Sequence, residues 1–202
     1  MKVKPNKGYA QKRFRVVIFG SARLEKDDPN WNLIFDLARR IAEEDMDIVT
    51  GGGPGLMNAA SEGHNSGDLG KHMQSIGLQI KLPKEQRDAL HLDIRKEFNR
   101  FSERLDNFID LANVVIVAPG GVGTLLEFFY TWQLLQVKMI YDIPIILLGK
   151  MWLDLVQWIR IWLLENKLLD QEDLDLLYLV HDNEEALTII KNAREKFQKK
   201  SD

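Results

Sequence analysis

Glycine-rich turns occur at three places in this sequence, each directly after a short apolar run. They are GSAR (residues 20–23), GGGPG (residues 51–55) and GGVGT (residues 120–124), called below the first, second and third loops. Glycine lets the main chain approach an anion closely, and a helix that follows adds the positive end of its dipole. One such loop is equally explained by a tight turn, but three together favour an anionic ligand such as a phosphate.

The loops differ from two widespread nucleotide-binding signatures. None contains the Gly-Lys-Ser/Thr of a Walker A motif, and none is a good Gly-x-Gly-x-x-Gly fingerprint with an acidic residue closing the second strand. The predicted phosphate-binding residues are Gly20, Ser21, Arg23, Gly51, Gly52, Gly53, Gly55, Gly120, Gly121, Gly123 and Thr124.

Glu127 and Arg104 each permit two interpretations. TLLE, from Thr124 to Glu127, fits a helix capping box, which alone would explain both polar residues. A carboxylate beside a phosphate-binding loop also lies near a bound ribose, where it stabilises positive charge or activates water when a base–ribose bond breaks. Arg104 is either a surface arginine paired with a neighbouring acid such as Glu103, or a ligand for phosphate or for charge on the leaving base.

Apolar runs alternate with helix-period segments, and this alternation positions the loops. Strands are predicted at residues 14–19, 46–49, 75–82, 114–118, 143–148 and 176–180, whereas residues 83–96 show no readable pattern. The alternation predicts a Rossmann-like, doubly wound α/β fold with a mostly parallel sheet and helices on both faces. With strand order 3-2-1-4-5, the first and third loops flank the crevice where such sheets bind ligands.

Composition fits a single soluble domain rather than a membrane, secreted or nucleic-acid-binding protein. The 202 residues are 45% hydrophobic with a net charge of −3 and no cysteine, which excludes disulfides and thiolate chemistry and favours a cytoplasmic location. The four histidines lack metal-ligand spacing, so neither a metal nor a cofactor is predicted. Residues 1–13 are predicted to form a flexible basic arm, and residues 14–200 one nucleotide-binding domain.

The second and third loops, with the residues around them, resemble the LOG family. This family comprises the cytokinin-activating phosphoribohydrolases and their bacterial relatives, long labelled possible lysine decarboxylases. GGGPGLM, ending at Met57, matches the family element GGG-x-G-[LI]-M, and PGGVGTLLE, ending at Glu127, matches PGG-x-GT-x-x-E. The FGSAR turn and the TWQ segment at residues 131–133 are also similar, so the resemblance spans about residues 14–158.

The resemblance implies a homodimeric enzyme that cleaves a nucleoside 5′-monophosphate, AMP or a modified AMP, into free base and ribose 5-phosphate. It implies that Glu127 and Arg104 are catalytic, Arg104 through the family's M/F-x-x-R-K element, and that Met57 joins the substrate-binding residues. Leu105 stands where the family usually has Lys, which alters the local charge near the ligand. This departure leaves open a non-catalytic nucleotide or cofactor carrier, whereas a pyridoxal phosphate-dependent decarboxylase is disfavoured because no lysine occupies the loops.

The helix after Thr124 is apolar in nearly every direction, which predicts that it contributes to a homodimer interface. The alternative is burial by neighbouring helices of the same chain. The apolar residues of the helix are Leu125, Leu126, Phe128, Phe129, Tyr130, Trp132, Leu134, Leu135 and Val137.

Asn58 and Glu62 lie one helical turn apart beyond the second loop. They either contact ligand or, more simply, are solvated or capping residues.

Overall fold

A computed structural model describes residues 13–81 and 89–201 and shows one seven-stranded sheet. All neighbouring strands are parallel, in the order β4-β3-β2-β1-β5-β6-β7. The doubly wound α/β fold predicted from the sequence is therefore confirmed, and so is the order of its first five predicted strands. The strands are β1 (Arg15–Phe19), β2 (Asp47–Thr50), β3 (Ser75–Ile80), β4 (Ile94–Phe98), β5 (Val114–Val117), β6 (Ile145–Leu148) and β7 (Leu177–Val180).

Helices cover both faces of this sheet. Their bounds are α1 (Pro29–Glu43), α2 (Leu56–Gly67), α3 (Phe101–Leu111), α4 (Val122–Gln136), α5 (Met151–Ile159) with a π-helical continuation (Arg160–Leu164), α6 (Gln171–Leu174) and α7 (Asn183–Ser201). No helix within the described ranges is long and apolar enough to cross a membrane. The arm predicted over residues 1–13 lies, apart from Arg13, outside the described residues.

The alternation of side chains along β1 divides the interior into two cores. Val16 and Ile18 pack with α1, α2 and α7, whereas Val17 and Phe19 pack with α3, α4 and α5. Successive side chains of a strand point to opposite faces, so a strand with helices on both sides is apolar throughout. The unbroken apolar runs in the sequence mark these central strands.

β4 is the strand that the sequence pattern did not predict. Three of its five residues are charged, namely Arg95, Lys96 and Glu97, and the strand lies at the edge of the sheet. An edge strand is partly exposed and commonly carries charges that prevent further pairing, so it lacks the apolar run of a central strand.

Helix starts followed the sequence signals at some positions and departed from them at others. The sequence Asp28-Pro29 is typical of a helix start, and the Asp28 side chain accepts a hydrogen bond from the Asn30 N–H (2.8 Å) and caps α1. A proline is common in the first turn of a helix, but α2 begins after Pro54, at Leu56, because Gly55 has a positive φ of 69° that a helix does not allow.

Candidate functional site

The three glycine loops lie together at the carboxyl edge of the sheet. The Ser21 N–H donates to the Pro119 carbonyl (3.0 Å), and the Leu56 N–H donates to the Ser21 carbonyl (2.8 Å). Main-chain hydrogen bonds therefore join the first loop to the residue preceding the third loop and to the start of α2. The shared edge expected from a parallel sheet is present; ligand binding by these loops remains a prediction.

Close main-chain contact explains the glycine at position 55. Gly55 has a φ of 69°, and a Cβ atom there would lie only 2.3 Å from the Ser21 carbonyl oxygen. Any side chain would thus be strained and would also push the first and second loops apart. This glycine is required by the packing of the two loops, whether or not a ligand binds.

The third loop is open where the second is crowded. A Cβ atom added at Gly121 or Gly123 would meet no described atom within 4 Å. α4 begins at Val122, and its N-cap, Gly121, provides no side-chain hydrogen bond to the first turn within the described structure. Residues 121–123 are exposed, so the positive end of the helix is accessible, and an accessible helix N-terminus without a side-chain cap is an arrangement that binds anions.

Arg104 and Glu127 form a buried ion pair between α3 and α4. Arg104 Nη1 donates to Glu127 Oε1 at 2.9 Å, and the two side chains are only 10% and 11% exposed. Arg104 Nε donates to the Leu78 carbonyl (2.6 Å), and the guanidinium lies over the Phe108 ring at 4.9 Å. Removing either partner would leave the other charge buried without compensation.

The same pair borders the second loop. A Cβ atom at Gly51 would lie 2.5 Å from Arg104 Nη2 and 2.7 Å from Met57 Sδ. In the part of the chain that the structure describes, Nη2 makes no hydrogen bond, whereas Nε and Nη1 are both used. The structure thus brings Arg104, Glu127, Met57 and Gly51 together, with one guanidinium nitrogen available to a ligand.

The two simpler interpretations of Glu127 and Arg104 are wrong. α4 begins at Val122, so Glu127 lies in its second turn and takes no part in capping. Arg104 is buried rather than on the surface, and Glu103 lies 4.0 Å from Arg100 instead. The TLLE pattern was misleading because it places the N-cap at Thr124, three residues after the observed N-cap, Gly121.

Burial and ion pairing have opposite effects on the pKa values of these two side chains. Burial raises the pKa of the Glu127 carboxyl to about 6, although Arg104 opposes this shift. Burial also lowers the pKa of Arg104, and Glu127 opposes that change. A carboxyl group that titrates close to neutral pH suits general acid–base chemistry, since it gains and loses a proton readily under working conditions.

A second contact between α3 and α4 was not visible in the sequence. The Tyr130 hydroxyl, about one helical turn beyond Glu127 on α4, donates to Asp106 Oδ1 on α3. Burial, together with this hydrogen bond, raises the pKa of Tyr130 to about 12. Because Tyr130 remains protonated, it acts here as a fixed donor that holds the two helices in register.

Other predicted positions have different surroundings. Thr124 is buried against Gly120, whereas Arg23 is exposed at the rim of the first loop. Leu105, which replaces the family's Lys, is 6% exposed and so packs in the interior beside Arg104. No group of three or more His, Asp or Glu among the described residues is arranged to hold a metal ion.

Comparison with known proteins agrees with this architecture. The sequence profile of the family described as "possible lysine decarboxylase" matches residues 57–190. No curated protein gave a significant sequence match.

Solved structures of the same fold cover nearly the whole chain. A molybdenum cofactor binding protein from the phototrophic bacterium Rippkaea orientalis is 19% identical, covers 91% of this chain and 98% of its own, and has a TM-score of 0.68. The Moco carrier protein of Chlamydomonas reinhardtii is 19% identical, with 91% and 99% coverage and a TM-score of 0.66. The structural-genomics target TM1055 is 23% identical, with 89% and 99% coverage and a TM-score of 0.66.

Proposed function

We propose that this chain, which belongs to the LOG or possible lysine decarboxylase family, hydrolyses the base–ribose bond of a nucleoside 5′-monophosphate. The buried Arg104–Glu127 pair beside Gly51 is the observation that carries this proposal. A carrier needs to hold its ligand, but it has no need of a carboxylate with a pKa near neutrality at the ligand site.

Each part of the site has a role in this reaction. The phosphate binds the N–H groups of the glycine loops and of the first turn of α4. As the bond from the base to C1′ breaks, Glu127 stabilises the positive charge on the ribose or takes a proton from the attacking water. The water oxygen bonds to C1′, the base leaves with a proton, and Arg104 Nη2 contacts the phosphate or the departing base.

Incubation with a panel of nucleoside monophosphates tests the proposal directly. The products to be measured are free base and ribose 5-phosphate, and both should appear in equal amounts for at least one member of the panel. Release of base from nucleosides that lack the phosphate would contradict the assigned recognition.

A carrier of a nucleotide or cofactor is the second candidate. It is favoured by the similarity of the whole fold to proteins named as binders or carriers of the molybdenum cofactor. Binding of a ligand from the panel without any cleavage over many hours would favour the carrier and reject the hydrolase.

The phosphate should dominate the affinity. We expect AMP to bind at least about 100-fold more tightly than adenosine, because two hydrogen bonds to a charged group contribute roughly 1.5–3 kcal/mol each and about 1.4 kcal/mol is a factor of ten. Isothermal titration of both ligands measures the ratio. Equal affinities would exclude phosphate recognition by the loops.

Turnover should rise with pH through about 6. Glu127 must be ionised to stabilise positive charge, and its pKa of about 6 places the loss of kcat/KM below that pH. The AMP phosphate also titrates near pH 6. The AMP dissociation constant of the E127Q variant, measured over the same pH range, therefore provides the control for ligand titration.

A homodimer remains a prediction that the exposed side of α4 supports. Phe128, Trp132 and Leu135 are buried in the chain's own core, whereas Leu126 and Phe129 remain 44% and 39% exposed. Neighbouring helices therefore cover one side of α4 only. We expect sedimentation at micromolar concentration to give twice the chain mass of 23.3 kDa.

Charge placed on this side of α4 should separate the protomers. L126E should sediment as a monomer, whereas L69E, at a 92% exposed position after α2, should remain dimeric. A monomeric wild-type protein would rule the dimer out.

A further inference from the structure

Asn58 and Glu62 belong to a chain of polar contacts that starts on α2. Neither helix capping nor solvation accounts for these contacts. Asn58 Nδ2 donates to Glu62 Oε1 (2.7 Å), and Asn58 Oδ1 accepts from the Leu90 N–H (2.7 Å). The other oxygen of Glu62 pairs with Lys26 Nζ at 2.8 Å, and the Glu62 side chain is only 13% exposed. Every polar atom of the Asn58 side chain is thus engaged within the protein.

This chain of contacts connects the surroundings of two glycine loops. Lys26 belongs to the connection between the first loop and α1. Leu90 is next to Ala89, whose N–H donates to the Gly52 carbonyl in the second loop (2.9 Å). The Leu90 carbonyl in turn accepts a hydrogen bond from Ser61 Oγ on α2. Asn58 therefore fixes the segment that contacts the second loop.

The Gly52 carbonyl is held by two donors. It accepts from the Ala89 N–H and from Gln79 Nε2 (3.0 Å), and Gln79 belongs to β3. A trans peptide directs its C=O and N–H groups to opposite sides, and the described chain contains no cis peptide bond. Because Ala89 and Gln79 hold the carbonyl on their side, the Gly53 N–H is directed away from these two residues.

We propose that Asn58 is a positioning residue that keeps the Gly52–Gly53 peptide in the orientation presenting its N–H, and not its C=O, to the ligand phosphate. The proposal rests on the proposed function for the identity of the ligand. A reversed peptide would place a carbonyl oxygen against the anion and remove one donor. Asn58 acts on the ligand only through Leu90, Ala89 and Gly52.

A reciprocal pair of substitutions tests this role. N58D keeps an oxygen that accepts from the Leu90 N–H but loses the donor to Glu62, and the repulsion between the two carboxylates turns the side chain at position 58 away from Leu90. In N58D/E62Q, the new carboxylate at position 58 accepts from both the Leu90 N–H and the new amide at position 62, whose oxygen faces Lys26. The original contacts are thereby rebuilt with donor and acceptor exchanged.

The expected readouts concern phosphate recognition and the local main chain. N58D should weaken AMP binding about tenfold, the loss of one donor, leave adenosine binding unchanged, and speed hydrogen exchange at the Ala89 N–H. N58D/E62Q should restore both AMP affinity and exchange protection. N192D, which adds the same charge at an exposed position of α7, should change neither.

Several results would overturn the proposal. They are an unchanged AMP affinity in N58D, an equal loss of AMP and adenosine binding, or failure of N58D/E62Q to restore a folded protein's affinity. A wild-type protein that binds neither AMP nor inorganic phosphate would refute phosphate recognition and this role together. AMP binding without base release would refute only the hydrolase, since this test depends on binding.

Discussion

Glu127→Gln is expected to give a folded protein that binds AMP but releases its base at least about 100-fold more slowly. Loss of a charge that stabilises the transition state typically costs a factor of 10²–10³, or roughly 3–4 kcal/mol. A glutamine oxygen still accepts from Arg104 Nη1, so the contact between α3 and α4 is retained. Single-turnover release of adenine and titration with AMP separate the chemical step from binding.

Glu103→Gln is the matched control for this substitution. Glu103 lies next to Arg104 in sequence, but its side chain is 55% exposed and, among the described residues, forms an ion pair with Arg100 alone, at 4.0 Å. It should release base at the wild-type rate. Undiminished base release by E127Q would instead show that Glu127 serves only as the structural partner of Arg104.

Arg104→Ala should abolish turnover, weaken AMP binding and destabilise the fold. The substitution leaves the Glu127 carboxylate buried without its counter-ion, which typically costs about 3–5 kcal/mol. It also removes the hydrogen bond to the Leu78 carbonyl and the contact with Phe108. Thermal unfolding, AMP titration and base release measure the three effects.

A second variant separates stability from catalysis. R104A/E127Q has no buried charge at this place, so it should unfold at a higher temperature than R104A. It should nevertheless remain inactive, because both functional groups are absent. Recovery of turnover together with stability would show that the pair contributes to the fold and not to the reaction.

The sequence predicted the central strands and the loops because their signals are local. Glycines directly after an apolar run indicate a turn at a strand end, and parallel strands bring such turns to one edge. β4 was not predicted because this edge strand carries charged residues instead of an apolar run. The start of α4 at Val122 was also predicted wrongly, because the third loop (residues 120–124) and the TLLE capping pattern (residues 124–127) overlap at Thr124.

The contacts that define the site depend on distances along the chain that no motif records. The partners of the ion pair are 23 residues apart, and Asn58 meets Leu90 across 32 residues. Family resemblance indicated Arg104 and Glu127, but it did not indicate that they pair. The role of Asn58 required knowing which main-chain groups surround Gly52.

The position of β1 at the centre of the sheet has a consequence for synthesis of the protein on the ribosome. β2 is synthesised soon after β1 and pairs with one of its edges, but the other edge stays unpaired until β5 has been synthesised. The Arg15 N–H, for example, bonds to Asn113, which lies 98 residues further along the chain. At translation rates of 5–20 residues per second, the interval lasts about 5–20 s. During this time an apolar strand edge is open to other nascent chains, so fragments that end before β5 should aggregate on release.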